Sequence, residues 1–143
     1  MKTEQLSIFV ENKPGRLADV AATLAAHNID LRALSLADTA DFGIIRLIVN
    51  KPEEARKILK QEGFRAEITA VLAVEVPDQP GSLSKVLGAF AAANLNVEYM
   101  YAFVSKGGDG ARMIFRLDDI DRAIAAFPAD AGRIIPAETV YNM

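Results

Sequence analysis

The sequence predicts an α+β protein built from two βαββαβ modules, and three observations predict it. The chain repeats itself, each copy runs through the same order of hydrophobic periods, and both copies carry a Pro-Gly turn at the same place. The repeat emerges when Leu6–Leu31 (LSIFVENKPGRLADVAATLAAHNIDL) is set above Leu72–Val97 (LAVEVPDQPGSLSKVLGAFAAANLNV), a shift of 66. Leu6, Pro14, Gly15, Leu17, Val20, Ala26 and Asn28 then face Leu72, Pro80, Gly81, Leu83, Val86, Ala92 and Asn94. Past the second strand the shift becomes 68, so Ile45, Leu47 and Val49 face Met113, Phe115 and Leu117. The two extra residues fall in the loop SKGGDG, where a duplicated module tolerates insertion.

The elements follow in order. Leu6, Ile8 and Val10 alternate as in a half-buried strand, and Leu72, Val74 and Val76 repeat the pattern. Leu17, Val20, Ala21 and Leu24 fall at i, i+3, i+4 and i+7, one face of a helix. Leu83, Val86, Leu87 and Phe90 do the same. Asn28 and Asn94 stand just past these helices, where a left-handed cap suits asparagine. Strand-like runs come next, at Ile29–Leu36 and Phe42–Val49, then at Leu95–Val104 and Ala111–Leu117. Asp38–Asp41 and Lys106–Gly110 read as the hairpin turns that join them. A short second helix follows in each copy, carried by Ala55, Ile58 and Leu59 and by Ile120, Ala123, Ile124 and Phe127, with Gly63 as a stop for the first. A last strand closes each copy, near Ala66–Thr69 and near Arg133–Thr139.

That order is the ferredoxin-like split unit, an antiparallel four-stranded sheet with both helices on one face. The modules divide at residues 1–69 and 70–143, with no Pro/Gly/Ser linker in RAEITAVLAVEV. The helix-free face should be polar, yet Arg32, Leu34 and Leu36, then Glu98, Met100 and Ala102, alternate onto it. Ile44 and Ile48 flank Arg46 there, and Ile114 lies between Arg112 and Arg116, so this face is expected to meet another sheet or chain. Tyr99, Tyr101 and Phe103 are expected in the core rather than on a ligand or on RNA bases.

Composition narrows the function. The 143 residues can bury roughly 70% of their unfolded surface. A net charge of −3, from 16 basic and 19 acidic residues, leaves no basic excess to attract nucleic acid. The absence of cysteine removes disulfides, thiolate metal sites and cysteine nucleophiles, and fits a reducing compartment. MKTEQLSIFVEN has no apolar signal core, and no stretch approaches the roughly 20 apolar residues of a membrane span. The expectation is a cytoplasmic protein with no nucleic-acid partner, no membrane partner, no metal and no cofactor. His27, the sole histidine, ends an apolar helix, which suits capping better than catalysis. Asp118, Asp119 and Asp121 suit the start of the helix that follows them better than a cation. Lys106–Gly110 lacks the Gly-Lys-Ser/Thr of a phosphate loop. No convergent acid–base or nucleophile set supports an enzyme.

The chemistry gathers at the strand-to-helix turns, Asn12-Lys13-Pro14-Gly15-Arg16-Leu17 and Asp78-Gln79-Pro80-Gly81-Ser82-Leu83. Proline fixes φ and ends the strand; glycine lets the chain turn and leaves room beside it. The helix then begins with free N–H groups and a positive dipole end, which can hold a carboxylate. Asn12, or Asp78, can bond an ammonium or simply cap the helix.

A βαββαβ module with an [Asn/Asp]-x-Pro-Gly-x-Leu turn, an apolar helix and a following Asn-[Ile/Leu] resembles the ACT domain family. Here the motif is Asn12 to Leu17 with Asn28-Ile29, and Asp78 to Leu83 with Asn94-Leu95, so the resemblance spans the chain twice. It implies regulatory modules that sense amino acids, pair side by side, and hold the effector at an interface against the first turn and helix. Carried over, it implicates Asn12, Pro14, Gly15, Arg16 and Leu17, and Asp78, Pro80, Gly81, Ser82 and Leu83 as ligand-binding residues. The copies differ at Asn12/Asp78, Lys13/Gln79 and Arg16/Ser82, so the two sites need not be equivalent. The expected protein is a stand-alone, homodimeric regulator that binds a small-molecule effector, an amino acid, and passes its state to an enzyme or transporter. The alternative is a non-catalytic structural subunit with no functional ligand site.

Overall fold

In the first module β1 (Thr3–Glu11), α1 (Arg16–Ala26), β2 (Leu31–Asp38), β3 (Phe42–Val49) and α2 (Pro52–Gln61) lead into β4 (Arg65–Pro77). The computed structural model describes residues 1–38, 41–103 and 110–143; the expected turn at Lys106–Gly110 lies almost wholly outside them, as does the middle of the one at Asp38–Asp41. The strand order is β2-β3-β1-β4, with β3 antiparallel to both β1 and β2. Leu6, Ile8 and Val10 of β1 meet Val20 and Leu24 of α1, Ala55, Ile58 and Leu59 of α2, and Phe64 in one apolar core.

Local chemistry ends these helices. Asn28 takes φ 56°, and the Ile29 N–H reaches back to Leu24 O at 3.0 Å, the left-handed cap its sequence position suggested. Gly63, at φ 86°, stops α2 in the same manner, with Phe64 N–H on Leu59 O at 2.9 Å. His27 is exposed at the end of α1, its Nδ1 2.9 Å from Thr23 O.

The chain divides into two compact units. One comprises Glu4–Thr69 with Tyr141–Met143, the other Met1–Thr3 with Ala70–Val140. In the first unit Tyr141 Oη accepts the Glu4 N–H at 2.8 Å, and Arg32 donates to Tyr141 O at 3.1 Å through Nη2. The second unit holds most of β4, α3 (Ser82–Ala92), β5 (Val97–Ala102), β6 (Gly110–Leu117), α4 (Ile120–Ala126), β7 (Arg133–Ile134) and most of α5 (Ala137–Tyr141). There β6 pairs antiparallel with β4 and β5, and β7 with β4. Its core joins Leu72, Val74 and Val76 to Val86, Phe90, Phe115 and Ala123, with Phe90 and Phe115 edge-to-face at 5.5 Å. Asn94 repeats the left-handed cap at φ 57°.

Four expectations change. β-bulges interrupt β2 between Leu31 and Ala33, and β5 between Val97 and Tyr99. An inserted residue flips every later side chain to the other face of a strand. Leu34 and Leu36 therefore pair with the core residues Leu47 and Ile45 on the helix side, not the helix-free side. Because they lie on the edge strand, they remain 41% and 53% exposed. Met100 likewise joins the core, and Tyr101 pairs with Ile114 on the helix-free face instead of packing inside. On that face Ile48 and Ile114 are fully buried, so neither is available to another chain. Leu17 and Leu83, read as core positions of their helices, are 43% and 37% exposed. Finally, the strand expected at Arg133–Thr139 is two residues long. Ile135 N–H still bonds Ala73 O at 2.8 Å, but Pro136 has no N–H to continue the ladder and α5 begins after it.

Gly132 secures that short strand. A Cβ there would stand 2.3 Å from Glu75 O, a backbone atom that cannot swing aside. Gly132→Ala is expected to push β7 from β4 and cost about 1–3 kcal/mol, read as a lower urea midpoint at unchanged slope.

Candidate functional site

Backbone hydrogen bonds close the first turn. Lys13 N–H bonds Glu11 O at 2.9 Å, and Asn12 N–H bonds Asp41 O at 3.1 Å. Gly15 is the cap residue of α1 at φ 89°, ψ −15°, and Gly81 takes φ 92°, ψ −15° before α3. A Cβ on either glycine would meet nothing within 4 Å, so glycine serves the left-handed angle here, not space beside the chain. No side chain caps α1 or α3, which removes the capping role considered for Asn12 and Asp78. By contrast Asp119 caps α4, accepting the Arg122 N–H at 3.1 Å. The Arg16 and Ser82 N–H groups bond back to Lys13 O and Gln79 O at 3.4 and 3.3 Å, so the N–H groups left without a backbone partner at the positive end of each helix are those of Leu17 and Ala18, and of Leu83 and Ser84.

Of the residues expected in the first site, Asn12, Arg16 and Leu17 line a recess of about 60 Å³ with Val10, Glu11, Lys13, Leu36 and Gly43. Pro14 and Gly15 shape the turn without lining it. Arg16 pairs with Asp19 at 3.5 Å, and its Cζ stands 5.1 Å above the Phe64 ring. Its Nε is buried and has no hydrogen-bond partner. Lys13 lies 2.8 Å from Glu11, and that hydrogen bond and charge hold the Glu11 carboxyl below its ordinary pKa. In the second module Pro80, Gly81 and Ser82 line a recess of about 150 Å³ with Pro77, Gln79, Lys85, Asp130 and Ala131. Asp78 and Leu83 stand outside it. Ser82 is buried, where its counterpart Arg16 reaches across the surface.

A second feature escaped the sequence reading. In each module, beyond the end of the turn, a larger cleft occurs at equivalent positions. In the first module Phe9, Phe42, Ile44, Phe64 and Arg65 line about 460 Å³, together with Val10, Glu11, Arg16 and Gly63. In the second, Glu75, Gly110, Arg112, Gly132 and Arg133 line about 630 Å³ with Val76 and Pro77. Strand register makes the equivalence exact in position: Phe9 opposes Ile44 as Glu75 opposes Arg112, and Glu11 opposes Phe42 as Pro77 opposes Gly110. Arg65 lies 4.7 Å above the Phe9 ring; Arg133 bonds Glu75 at 2.8 Å through Nε. The shifts of 66 and 68 already matched these residues, but the match is between unlike side chains and so carried no signal.

Glu75 therefore serves two cations, since Arg112 Nε also donates to it at 3.1 Å. Burial works against its charge, but the hydrogen bonds and charges of Arg133 and Arg112 win and leave its pKa lowered. Among the described residues no group of three His, Cys, Asp or Glu side chains can hold a metal ion, and no helix is long and apolar enough to cross a membrane.

A family model described as an ACT domain pair matches residues 1–131. A solved protein from Bacteroides thetaiotaomicron is 40% identical, with a TM-score of 0.92, over 100% of this chain and 98% of that one. The regulatory subunit of aspartate kinase from Thermus thermophilus, solved in a ligand-free form, shares the fold at 20% identity and a TM-score of 0.61, covering 87% of each chain. The corresponding subunit from Thermus flavus gives 18%, 0.63 and 88% of each chain. No curated protein matches.

A carboxylate with a lowered folded-state pKa adds stability that is present above its unfolded pKa and lost as pH falls through the folded value. For Glu75 the loss begins below the ordinary value of 4.5. Glu75→Gln should accordingly be most destabilising at neutral pH, with the gap to the parent protein narrowing below pH 4.5 in urea melts.

Proposed function

The chain belongs to the ACT domain family, and on that premise we propose that it is a regulatory, non-catalytic protein whose first Pro-Gly turn binds an amino acid. The observation that carries the proposal is the pair of left-handed glycines that open α1 and α3 without any side-chain cap. A helix start left open in this way offers N–H donors and partial positive charge to a carboxylate. In the first module Arg16 adds a guanidinium and Asn12 an amide beside the same recess, one for the carboxylate and one for the ammonium. Pro14 and Gly15 present these groups, and Leu17 walls them. The second recess, with Pro80, Gly81 and Ser82, has no equivalent of Arg16. Its neighbours Lys85 and Asp130 pair with each other at 3.7 Å, which favours a weaker or vacant site near Asp78 and Leu83.

A second copy of the chain is the partner best supported. β2 is an edge strand, and Leu31, Leu34 and Leu36 on its helix side, with Leu17 at the start of α1, form an exposed apolar strip beside the recess. An unpaired edge of this kind is a template for pairing with another chain. Occupancy of a recess bordered by that edge can then bias how two copies pair, and so pass the ligand's presence to a regulated enzyme or transporter.

Calorimetry against the twenty amino acids at millimolar concentration is expected to show at least one saturable binder. Gly15→Val should abolish it while Gly81→Val leaves it; heat flat for all twenty would sink the sensor reading. Leu36→Lys puts a charge in the apolar strip and is expected to shift sedimentation from dimer toward monomer, whereas a parent protein that sediments as a monomer would remove the edge-pairing proposal.

A further inference from the structure

The recess at the first turn, at about 60 Å³, is far below the roughly 300–1,000 Å³ of small-molecule sites. The cleft of about 460 Å³ shares Val10, Glu11 and Arg16 with it as a common wall, and falls within the size range of small-molecule sites. Its floor is apolar, made of Phe9, Phe42 and Ile44. Its cations are fixed on rings, Arg16 over Phe64 and Arg65 over Phe9. Arg16, about one-third exposed on this wall, presents its guanidinium to both spaces. A ligand whose carboxylate meets that guanidinium sets its side chain on the three apolar residues. The equivalent cleft of the second module offers no such floor. Glycines replace Phe42 and Phe64, Glu75 replaces Phe9, and Arg112 replaces Ile44, so the Glu75 carboxylate is already neutralised by its own arginines.

We infer that the effector of the first module is a carboxylate with a bulky apolar, above all aromatic, side chain that lies on Phe9, Phe42 and Ile44, an inference that rests on the first turn being a ligand site. A charged or very small side chain gains nothing from that floor, and the second module does not share the selectivity.

The test is calorimetry on the full chain with L-phenylalanine, glycine, L-aspartate and 3-phenylpropionate, which keeps the ring and carboxylate but lacks the amine. L-phenylalanine is expected to bind at least about tenfold more tightly than glycine or L-aspartate. Phe42→Ala should reduce that preference, and Ile44→Arg, which installs the residue of the second module, should abolish it. Phe42 is 57% exposed, so its removal spares the fold; thermal unfolding verifies the same for Ile44→Arg. Equal affinities for L-phenylalanine and glycine, or a preference that survives both substitutions, overturn the inference while leaving amino-acid sensing intact. Binding of 3-phenylpropionate alone, lost in Phe42→Ala, upholds the cleft and removes the amino-acid reading. If none of the four compounds binds, the inference falls, and the amino-acid reading falls with it only when all twenty amino acids give flat heat.

Discussion

The architecture depends on where the backbone is permitted a positive φ. Gly15 and Asn28 bracket α1, and Gly81 and Asn94 bracket α3, at the same interval in both modules. Each glycine turns the chain out of a strand directly into a helix, and each asparagine turns it back. Between them the helix must be eleven residues long, which sets Val20 and Leu24, or Val86 and Phe90, over the sheet. A left-handed start has a further consequence. The residue that would supply a capping oxygen is a glycine, so beyond the one N–H that bonds back into the turn, the second and third N–H groups of the helix have no side-chain cap. The feature that folds the module therefore also creates its reactive end.

Duplication kept this frame and changed what stands on it. The cross-strand set Phe9–Ile44–Arg65 of one module occupies the positions of Glu75–Arg112–Arg133 in the other. Both sets satisfy an arginine, by a ring face in one case and by a carboxylate in the other. Their energetics differ. The ring set leaves apolar surface able to gain from contact with another apolar group. The ionic set is one-sixth exposed at its carboxylate, and every oxygen of Glu75 already has a cation, so it serves to tie a two-residue β7 to the sheet. The same cleft is thus open chemistry in the first module and a structural clasp in the second.

Much of this was legible in the sequence because it depends on period and on residues with special backbone preferences. The repeat, the order of elements, the Pro-Gly corners and the asparagine caps follow from local rules that tertiary structure had no reason to override. What was missed depends on register. A single extra residue at Arg32, and another near Glu98, reversed the faces of β2 and β5, and nothing in either strand's alternation announces a bulge. Phe9 and Arg65 are far apart in sequence, and their meeting depends on how β4 lies beside β1. The end of the second module differs for a simpler reason: Pro136 has no N–H, so the ladder that the β-branched Ile134 and Ile135 favour stops there.

The bulge in β2 also explains why the apolar surface of the first module lies beside its Pro-Gly turn. Had β2 continued without interruption, Leu34 and Leu36 would face the helix-free side, away from α1. The inserted residue brings them to the helix side, at the edge strand, where neither helix reaches them. Leu36 then becomes a wall of the recess at the Pro-Gly turn, and Leu17 exposes its side chain at the other wall. A ligand there touches surface that would otherwise be paired with water at an unprotected strand edge. Leu36 and Leu17 thus belong both to the exposed edge and to the recess, and shared side chains of this kind are what the proposed function requires for a bound metabolite to change how the chain associates.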